Sequence, residues 1–296
     1  MTTNLTNNEL INKAMLVKIR ISVWTAKKHD SEISEQILEQ HGADKKYGRF
    51  WKYLMKDTEE LDAINKISTK IRKFNEKLTL PWHDEGIRIL PSSLFQKYSS
   101  SMRQFKEEFD IASEKFLSLY SSLIESARIS LNGLFCEADY PAIEKIGSKF
   151  KFDVKIDPIP YSDDFRVALQ QEEIKRIKQE IDQRVEETKT IVVNDLLERL
   201  KEKLLLIVDR LQPDNQFKRN TFENLVELLS IIPDLNFTND PRIEQIRKEI
   251  EEKISFVSPE ALREDAVLRE KTSEDASEIL QNIENMMSGY TGLGGF

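Results

Sequence analysis

The chain has 296 residues, of which 39% are hydrophobic and 32% are charged, with 44 Lys and Arg against 52 Asp and Glu. The resulting net charge of −8 argues against a general role in coating nucleic acid, although a chain with this net charge can still carry a local basic surface. Nine glycines and nine prolines leave few tight turns, which disfavours a β-sandwich or β-barrel, and the one cysteine, Cys136, excludes an internal disulfide framework or a multi-cysteine metal site.

The sequence carries no signal for export or membrane insertion. Residues 1–10 lack a basic region followed by an apolar run. The richest apolar stretch, which starts at Leu204, is interrupted by Asp209 and falls short of the roughly 18–20 residues of a membrane span. We therefore expect a soluble protein of the host-cell cytoplasm.

Two stretches alternate between apolar and polar residues, as half-buried strands do. The first covers residues 17–23 and the second covers residues 150–156, where Pro158 and Pro160 end the pattern. Because a lone strand leaves its backbone groups unpaired, we expect these two strands to pair with each other. The prediction is a small two-stranded β element that ties the N-terminus to the middle of the chain.

Two helices are predicted between these strands. The first covers residues 31–40, with Ser31 as its cap and Gly42 at its end. The second is long and covers residues 46–78, where the apolar positions fall mainly three or four apart. Pro81 and Pro91 bracket the connector that follows.

A heptad pattern dominates residues 95–123. Apolar residues there step alternately by three and four positions: Phe95, Tyr98, Met102, Phe105, Phe109, Ala112, Phe116, Leu119 and Leu123. A period of 3.5 favours left-handed coiled-coil packing, and the many aromatic residues suit an antiparallel intramolecular pair. Gly133 is expected to mark the end of this helix.

A second long helix is predicted over residues 165–211. Its apolar stripe is Ile174, Ile177, Ile181, Val185, Thr188, Val192, Leu196, Leu200, Leu204, Ile207 and Leu211. Such a stripe must be covered, either by the other long helix in an antiparallel hairpin or by another subunit. The predicted fold class is therefore mostly α: a long antiparallel helical hairpin or coiled-coil bundle with the small β element.

The last part of the chain is predicted as three shorter helices, over residues 220–232, 241–254 and 258–287. Residues 239–285 carry 13 acidic and 7 basic side chains. The predicted organisation is a helical-hairpin domain at 14–212, an acidic C-terminal helical region at 213–287 and a flexible tail at 288–296.

No pattern in the sequence indicates a catalytic, cofactor or metal site. His29, His41 and His83 lack the spacing of metal ligands, and Cys136 is expected to be structural or incidental. No glycine-rich phosphate loop is present. The sequence therefore predicts a protein that is not an enzyme.

A basic and aromatic stretch is the most suggestive candidate site. Residues 45–77 hold ten Lys and Arg against five Asp and Glu, with aromatic residues near the start. This mixture suits phosphate contact and base stacking, but also a solvated or partner-facing helix surface. The candidate contacts to nucleic acid or to a protein partner are Lys45, Lys46, Arg49, Trp51, Lys52, Lys56, Lys70, Arg72 and Lys73.

The tail at 288–296 is a second candidate. Its glycine-rich sequence after an acidic helix is compatible with a docking peptide that uses Tyr290, Leu293 and Phe296. A simple disordered terminus is the alternative.

The N-terminal two thirds of the chain, residues 14–210, resembles an uncharacterised family of bacteriophage and mobile-element proteins. The segments that carry the resemblance are, in order, MLVKIRISVWTAKKHD (15–30), HGADKKY (41–47), AINKISTKIRKFNEKLTLPW (63–82), GIRILP (86–91), the aromatic heptads and FKFDVKIDPI (150–159). The resemblance implies no established activity and assigns no functional residues. It does imply a genomic neighbourhood with MoxR-type AAA ATPases and von Willebrand factor A-domain proteins.

These observations favour a phage- or mobile-element-encoded helical scaffold or adaptor that self-associates or docks a partner such as a MoxR-type AAA ATPase or a von Willebrand factor A-domain protein. A nucleic-acid-binding accessory protein in replication, recombination or counter-defence is the alternative. It rests on the basic stretch at 45–77.

Overall fold

The computed structural model describes residues 11–83, 86–162, 171–212, 215, 219–255 and 257–291. The chain is mostly α-helical, as predicted. Its helices are α1 (Ser31–Gln40), α2 (Glu59–Leu78), α3 (Phe95–Leu131), α4 (Ile143–Gly147), α5 (Gln171–Leu211), α6 (Arg219–Leu235), α7 (Pro241–Ile250), α8 (Ala261–Glu264) and α9 (Ala266–Thr291). The strands are β1 (Ala14–Ser22), β2 (Lys27–Asp30), β3 (Phe50–Tyr53), β4 (Leu80–Pro81), β5 (Arg88–Pro91) and β6 (Lys151–Pro158).

The two predicted strands, β1 and β6, are neighbours in one sheet, which confirms their pairing. The sheet has four strands in the order β4-β5-β1-β6, however, so the prediction of a two-stranded element is corrected. Strand β5 lies antiparallel to β1, with Ala14 opposite Pro91 and Val17 opposite Arg88. The two extra strands are too short to show an alternating pattern in the sequence.

A second sheet consists of β2 and β3, which pair antiparallel from Lys27 opposite Tyr53 to Asp30 opposite Phe50. The predicted helix over 46–78 is therefore wrong in its first part, where β3 lies. Helix α2 begins only at Glu59, where acidic side chains in the first turn suit the positive end of the helix dipole.

The chain divides into two compact units. Unit 1 contains residues 1–18, 76–96 and 155–296, and unit 2 contains residues 19–75 and 97–154. Unit 2 carries 20 Lys and Arg against 18 Asp and Glu, a net charge of +2, whereas unit 1 carries 24 against 34, a net charge of −10. The boundary predicted at 212/213 falls inside unit 1.

The core of unit 2 is aromatic and lies against α3. Trp24 packs edge-on to Phe116, whose other neighbours include Phe150. Helix α2 runs antiparallel to α3 here, as two contacts near opposite ends of the pair show. Tyr98 donates a 2.7 Å hydrogen bond to Asn75, and Lys115 contacts Glu60 at 3.3 Å.

The buried stripe of α3 departs from the predicted heptads. From Phe109 onward the buried positions include Ser113, Phe116 and Tyr120, whereas the predicted seam residue Leu119 is 36% exposed. The stripe drifts around the helix as expected for an unstrained α-helix with 3.6 residues per turn. A coiled-coil seam is therefore not confirmed.

In unit 1, the antiparallel partner of α5 is α9. Lys201 of α5 contacts Glu284 at 3.4 Å, and Arg269 at the start of α9 donates a 2.8 Å hydrogen bond to the carbonyl of Leu211 at the end of α5. The predicted α5 stripe is buried from Val185 to Leu211. A hairpin between the two long helices is not confirmed, since α3 pairs with α2 and α5 pairs with α9; residues 165–170 of the predicted helix lie outside the described residues.

The remaining helices follow the predictions with shifted ends. Helix α6 continues past Pro233, which the sequence predicted as its end. Asp240 caps α7 by accepting a hydrogen bond from the backbone of Arg242. Helix α1 is capped by Asp30, not by the predicted Ser31, and Gly42 behind it has a left-handed φ of +62°.

Candidate functional site

The two-stranded sheet of unit 2 presents aromatic and cationic side chains on one face. Cross-strand pairing places Lys27 opposite Tyr53 and His29 opposite Trp51, so these four side chains share a face. Trp51 is 48% exposed and Tyr53 is 50% exposed. We call Lys27, His29, Trp51 and Tyr53 the aromatic–cationic face.

The side chains on this face contact each other in pairs. The Lys27 ammonium lies 4.8 Å from the centroid of the Tyr53 ring, within the range of a cation–π interaction. The His29 and Trp51 ring centroids are 5.4 Å apart with a 55° angle between the planes. Both aromatic residues remain about half exposed in these pairs.

Lys52 fixes this face from behind. It alternates with Trp51 and Tyr53 along β3 and is only 6% exposed. Its ammonium lies 2.9 Å from Asp30 Oδ2 and 2.7 Å from Asp139 Oδ2, and it donates a 3.2 Å hydrogen bond to the carbonyl of Leu134. We call Lys52, Asp30 and Asp139 the Lys52 cluster.

The electrostatics of the Lys52 cluster favour its charged state. A hydrogen bond from the backbone of Ile33, reinforced by Lys52, lowers the pKa of Asp30. Burial alone opposes the charge on Lys52, but hydrogen bonds and charge attraction from Asp139 and Asp30 outweigh it and raise its pKa.

Further hydrogen bonds hold the ends of β3. Ser34 of α1 accepts a 2.8 Å hydrogen bond from the backbone of Phe50 and donates one to the carbonyl of Asp30. At the other end, the Tyr140 hydroxyl donates a 2.9 Å hydrogen bond to the carbonyl of Leu54. The strand that carries Trp51 and Tyr53 is thus anchored along its whole length.

A groove of about 690 Å³ lies beside this strand. One wall is the segment from Phe50 to Glu60 and the other is the last two turns of α3 with Leu134. Both walls contribute apolar side chains, Leu54 and Met55 from the first and Leu123, Ala127 and Leu131 from α3. Polar side chains also line the groove. They include the basic Lys56, the acidic Glu59 and the hydroxyls of Ser126 and Ser130.

The structure separates the predicted contact residues of this region into three kinds. Lys45 and Lys46 already contact carboxylates, Glu35 at 3.0 Å and Asp44 at 3.2 Å, through highly exposed and therefore weak pairs. Lys52 is buried in its cluster and does not reach the surface, which corrects its prediction as a contact. Arg49 and Lys56 flank β3 and are exposed, and neither forms an ion pair within the described part of the chain.

The remaining predicted cations, Lys70, Arg72 and Lys73, are exposed on α2. Lys66, Lys70 and Lys73 are spaced four and three residues apart and therefore share one helix face. The opposite face is buried and includes Ile64, which is fully buried.

Of the predicted docking tail, Tyr290 lies inside α9, which extends to Thr291. Leu293 and Phe296 lie outside the described residues. The structure therefore does not test the tail as a docking peptide.

Other chemistry-bearing residues are dispersed. The His83 ring lies 2.7 Å from the carbonyl of Arg184, and Cys136 is exposed. Within the described ranges, no group of three or more His, Cys, Asp or Glu side chains is placed to hold a metal ion. Over the same ranges, no helix combines the length and the apolar character that crossing a bilayer requires.

Unit 1 contains a second charge cluster, which is half-buried and formed by Asp195, Arg199 and Arg88. The Arg199 guanidinium lies 2.7 Å from Asp195 Oδ2 and also donates hydrogen bonds to the carbonyls of Lys77 and Thr79. Arg88 donates to the hydroxyl and the carbonyl of Thr79. These bonds tie the end of α2 to α5 within unit 1.

Asp195 itself is poorly satisfied. Burial raises its pKa, and the attraction of Arg199 and Arg88 offsets only part of this effect. Its Oδ2 atom lies 2.7 Å from Arg199 Nε, while the buried Oδ1 of its neighbour Asn194 accepts no hydrogen bond from the described residues. We call Asp195, Arg199 and Arg88 the Asp195 cluster.

No protein-family model, curated protein or solved structure matches this chain. The assignment of a function therefore depends on the geometry of the chain itself.

Sequence reasoning found Trp51 and the cations around it, but not the groove or either charge cluster. Each of these joins residues that are far apart along the chain, such as Lys52 and Asp139.

Proposed function

We propose that the chain is a non-enzymatic helical adaptor of phage or mobile-element origin that docks a partner protein in the groove of unit 2. The observation that carries this proposal is the groove itself, an apolar cleft of about 690 Å³ bounded by α3 and by the segment from Phe50 to Glu60. Its volume lies within the roughly 300–1,000 Å³ of typical ligand sites.

The groove has the composition of a protein-binding surface. Its floor is apolar, while Lys56, Asp57 and Glu59 supply both charges near the start of α2. Protein interfaces combine an apolar centre with a polar rim in this way. An amphipathic partner helix would place its apolar residues on the half-buried Leu123 and Leu131.

The groove is also held in shape before any partner arrives. The Lys52 cluster and the Tyr140 hydrogen bond anchor one wall, and the second wall is a helix that packs on the aromatic core of unit 2. A preformed site loses little conformational entropy on binding, which favours affinity.

Substitutions at the rim test this proposal without disturbing the core. Ser126 and Ser130 are exposed and line the groove, whereas Ser122 is exposed on the same helix and does not line it. We expect Ser126→Arg and Ser130→Trp to abolish copurification with a co-expressed MoxR-type AAA ATPase or von Willebrand factor A-domain protein, and Ser122→Arg to leave it unchanged. Equal copurification by all variants would refute docking in the groove.

Self-association is the second part of the adaptor hypothesis, and a second copy of the chain is a further candidate occupant of the groove. Size-exclusion chromatography with light scattering measures it directly. A dimer that Ser130→Trp converts to the 34.6 kDa monomer would support the groove as the contact. A monomer at all concentrations would remove self-association from the proposal.

The alternative, a nucleic-acid-binding accessory protein, is favoured by a different observation. Trp51 and Tyr53 are among the residues that line the groove, and each exposes about half of its surface beside cations. The adaptor proposal does not use these rings together with the cations beside them.

A further inference from the structure

We infer that the aromatic–cationic face binds single-stranded nucleic acid, with bases stacked on Trp51 and Tyr53 and phosphates held by Lys27, Arg49 and Lys56. This inference goes beyond the adaptor proposal and does not depend on a partner in the groove.

The exposed aromatic rings are the first reason. Large aromatic side chains are expensive to leave in water, and two of them lie two residues apart on one strand. The strand rise places their Cα atoms about 7 Å apart, roughly twice the distance between stacked bases of a duplex. Two neighbouring bases therefore reach both rings only when the nucleic-acid strand is drawn out, as single strands allow.

The cations are the second reason. Residues 27–30 and 44–56 carry seven Lys and Arg against two Asp. Both of these aspartates are already engaged, Asp30 by Lys52 and Asp44 by Lys46. The exposed ammonium and guanidinium groups beside the rings are thus available to phosphate oxygens.

Lys27 places a cation directly beside one of the exposed aromatic rings. Its ammonium lies over the Tyr53 ring, so a base that stacks on the outer part of this ring brings its phosphate within reach of the same cation. Arg49 directly precedes β3, and Lys56 follows it at the edge of the groove. The cations therefore occur at both ends of the strand that carries the rings, as a path for a nucleic-acid backbone requires.

A duplex fits this face less well. In a duplex the flat surfaces of the bases are stacked on each other, and exposed aromatic rings have no base face to contact. Helix α1, which packs against β3, also contributes Glu32, Glu35 and Glu39. These carboxylates make the surroundings too mixed in charge for broad contact with a duplex backbone, so stacking must supply much of the affinity.

The test is a titration of the purified full chain with labelled oligothymidylate, oligouridylate and a duplex at low salt, followed by fluorescence anisotropy. We expect both single strands to bind and the duplex to bind at least about tenfold more weakly. Three phosphate contacts predict a slope of about −2 in log K against log salt concentration, or roughly 20-fold weaker binding from about 50 to about 200 mM salt.

Variants assign the binding to this face. We expect Trp51→Ala and Tyr53→Ala each to weaken binding at least about fivefold, Trp51→Phe to restore most of the affinity, and Lys27→Ala to reduce the salt slope by about 0.7. Ile129→Ala and Lys145→Ala serve as controls, since both residues are exposed in unit 2 outside the face. Circular dichroism checks that each variant is folded.

Quenching of tryptophan fluorescence provides a direct signature. We expect the oligonucleotide to quench emission from the wild-type chain and to quench it much less in Trp51→Phe, because Trp24 is buried and Trp82 is half-buried outside this face. The inference is overturned if single strands do not bind at low salt, if Trp51→Ala binds as tightly as the wild type, or if the duplex binds equally well. Since the titration uses the chain alone, these outcomes are independent of the copurification result for the groove.

Discussion

Each unit contains a cluster of opposite charges, and the two clusters differ in how deeply the central charge is buried and how many close partners it has. In unit 2, Lys52 lies between Asp30 and Asp139 and also reaches the carbonyl of Leu134. In unit 1, Asp195 has one close cation, Arg199 at 2.7 Å, and about a quarter of its side chain is exposed. We therefore expect the number of close partners and the depth of burial, more than the presence of an opposite charge, to decide how much each charge contributes to stability.

The largest effect is expected from Lys52→Met. This change leaves Asp30 and Asp139 buried and facing each other without a cation, so we expect a loss of about 3–5 kcal/mol in the free energy of unfolding, measured with urea. Lys56→Met, on an exposed neighbour, should change it by less than about 0.5 kcal/mol. If both variants lose the same amount, the Lys52 cluster does not stabilise unit 2.

A smaller loss is expected from Arg199→Met. The carbonyls of Lys77 and Thr79 lose a charged donor, and Asp195 loses its closest cation, so we expect a loss of about 2–3 kcal/mol. Arg176→Met is the matched control on the same helix, because its pairs with Glu173 and Glu180 are exposed. A loss for Arg199→Met no larger than for this control would contradict the assigned role.

The stability contributions of Asp30 and Asp195 should change with pH in opposite directions. The folded pKa of Asp30 is lowered, so its contribution is complete above its unfolded pKa and is lost as the pH falls through the folded value. The folded pKa of Asp195 is raised, so its contribution is complete below its unfolded pKa and is lost as the pH rises through the folded value.

Urea unfolding from about pH 7 to about pH 2 measures this difference. The destabilisation of Asp30→Asn relative to the wild type should shrink toward acid, because only the wild type loses a charge there. Asp195→Asn should instead be slightly more stable than the wild type at neutral pH. This gain should shrink toward acid, where Asp195 of the wild type also becomes neutral. Parallel curves for the two variants would show that the clusters do not differ.

The smallest effect is expected from Asp195→Asn at neutral pH. Burial disfavours the charge on Asp195, and Arg199 retains two carbonyl acceptors when that charge is removed. We therefore expect a change below about 1 kcal/mol, on the stabilising side. A loss of several kcal/mol in the free energy of unfolding would show that Asp195 stabilises the fold as Lys52 does, and would contradict the expected difference between the clusters.

The fold was predictable from the sequence where an element is long enough to show its period. Strands β1 and β6 alternate over seven residues each, and the α5 stripe from Val185 to Leu211 repeats over 27 residues. Strands β2 to β5 have two to four residues, too few for a period to emerge. For this reason the four-residue spacing of Phe50 and Leu54 predicts part of the helix over residues 46–78, although the structure places Phe50 in β3.

The partners of the helices were not predictable from periodicity. The stripes of α3 and α5 specify that each needs an apolar surface, but α2 and α9 satisfy that need as well as the two long helices would satisfy each other. The candidate site shows the same limit. Trp51, Arg49 and Lys56 are close in sequence and were found, whereas the wall of the groove on α3 lies about 70 residues further along the chain.

The order of the segments along the chain has a consequence for synthesis on the ribosome. Every residue of unit 2 precedes residue 155, whereas α5 of unit 1 is not covered until α9 has been made. At a translation rate of about 5–20 residues per second, the chain from Leu211 to Thr291 takes roughly 4–16 s to make. For that interval the stripe from Val185 to Leu211 has no α9 to cover it, so the nascent chain offers chaperones a binding site that the finished protein hides.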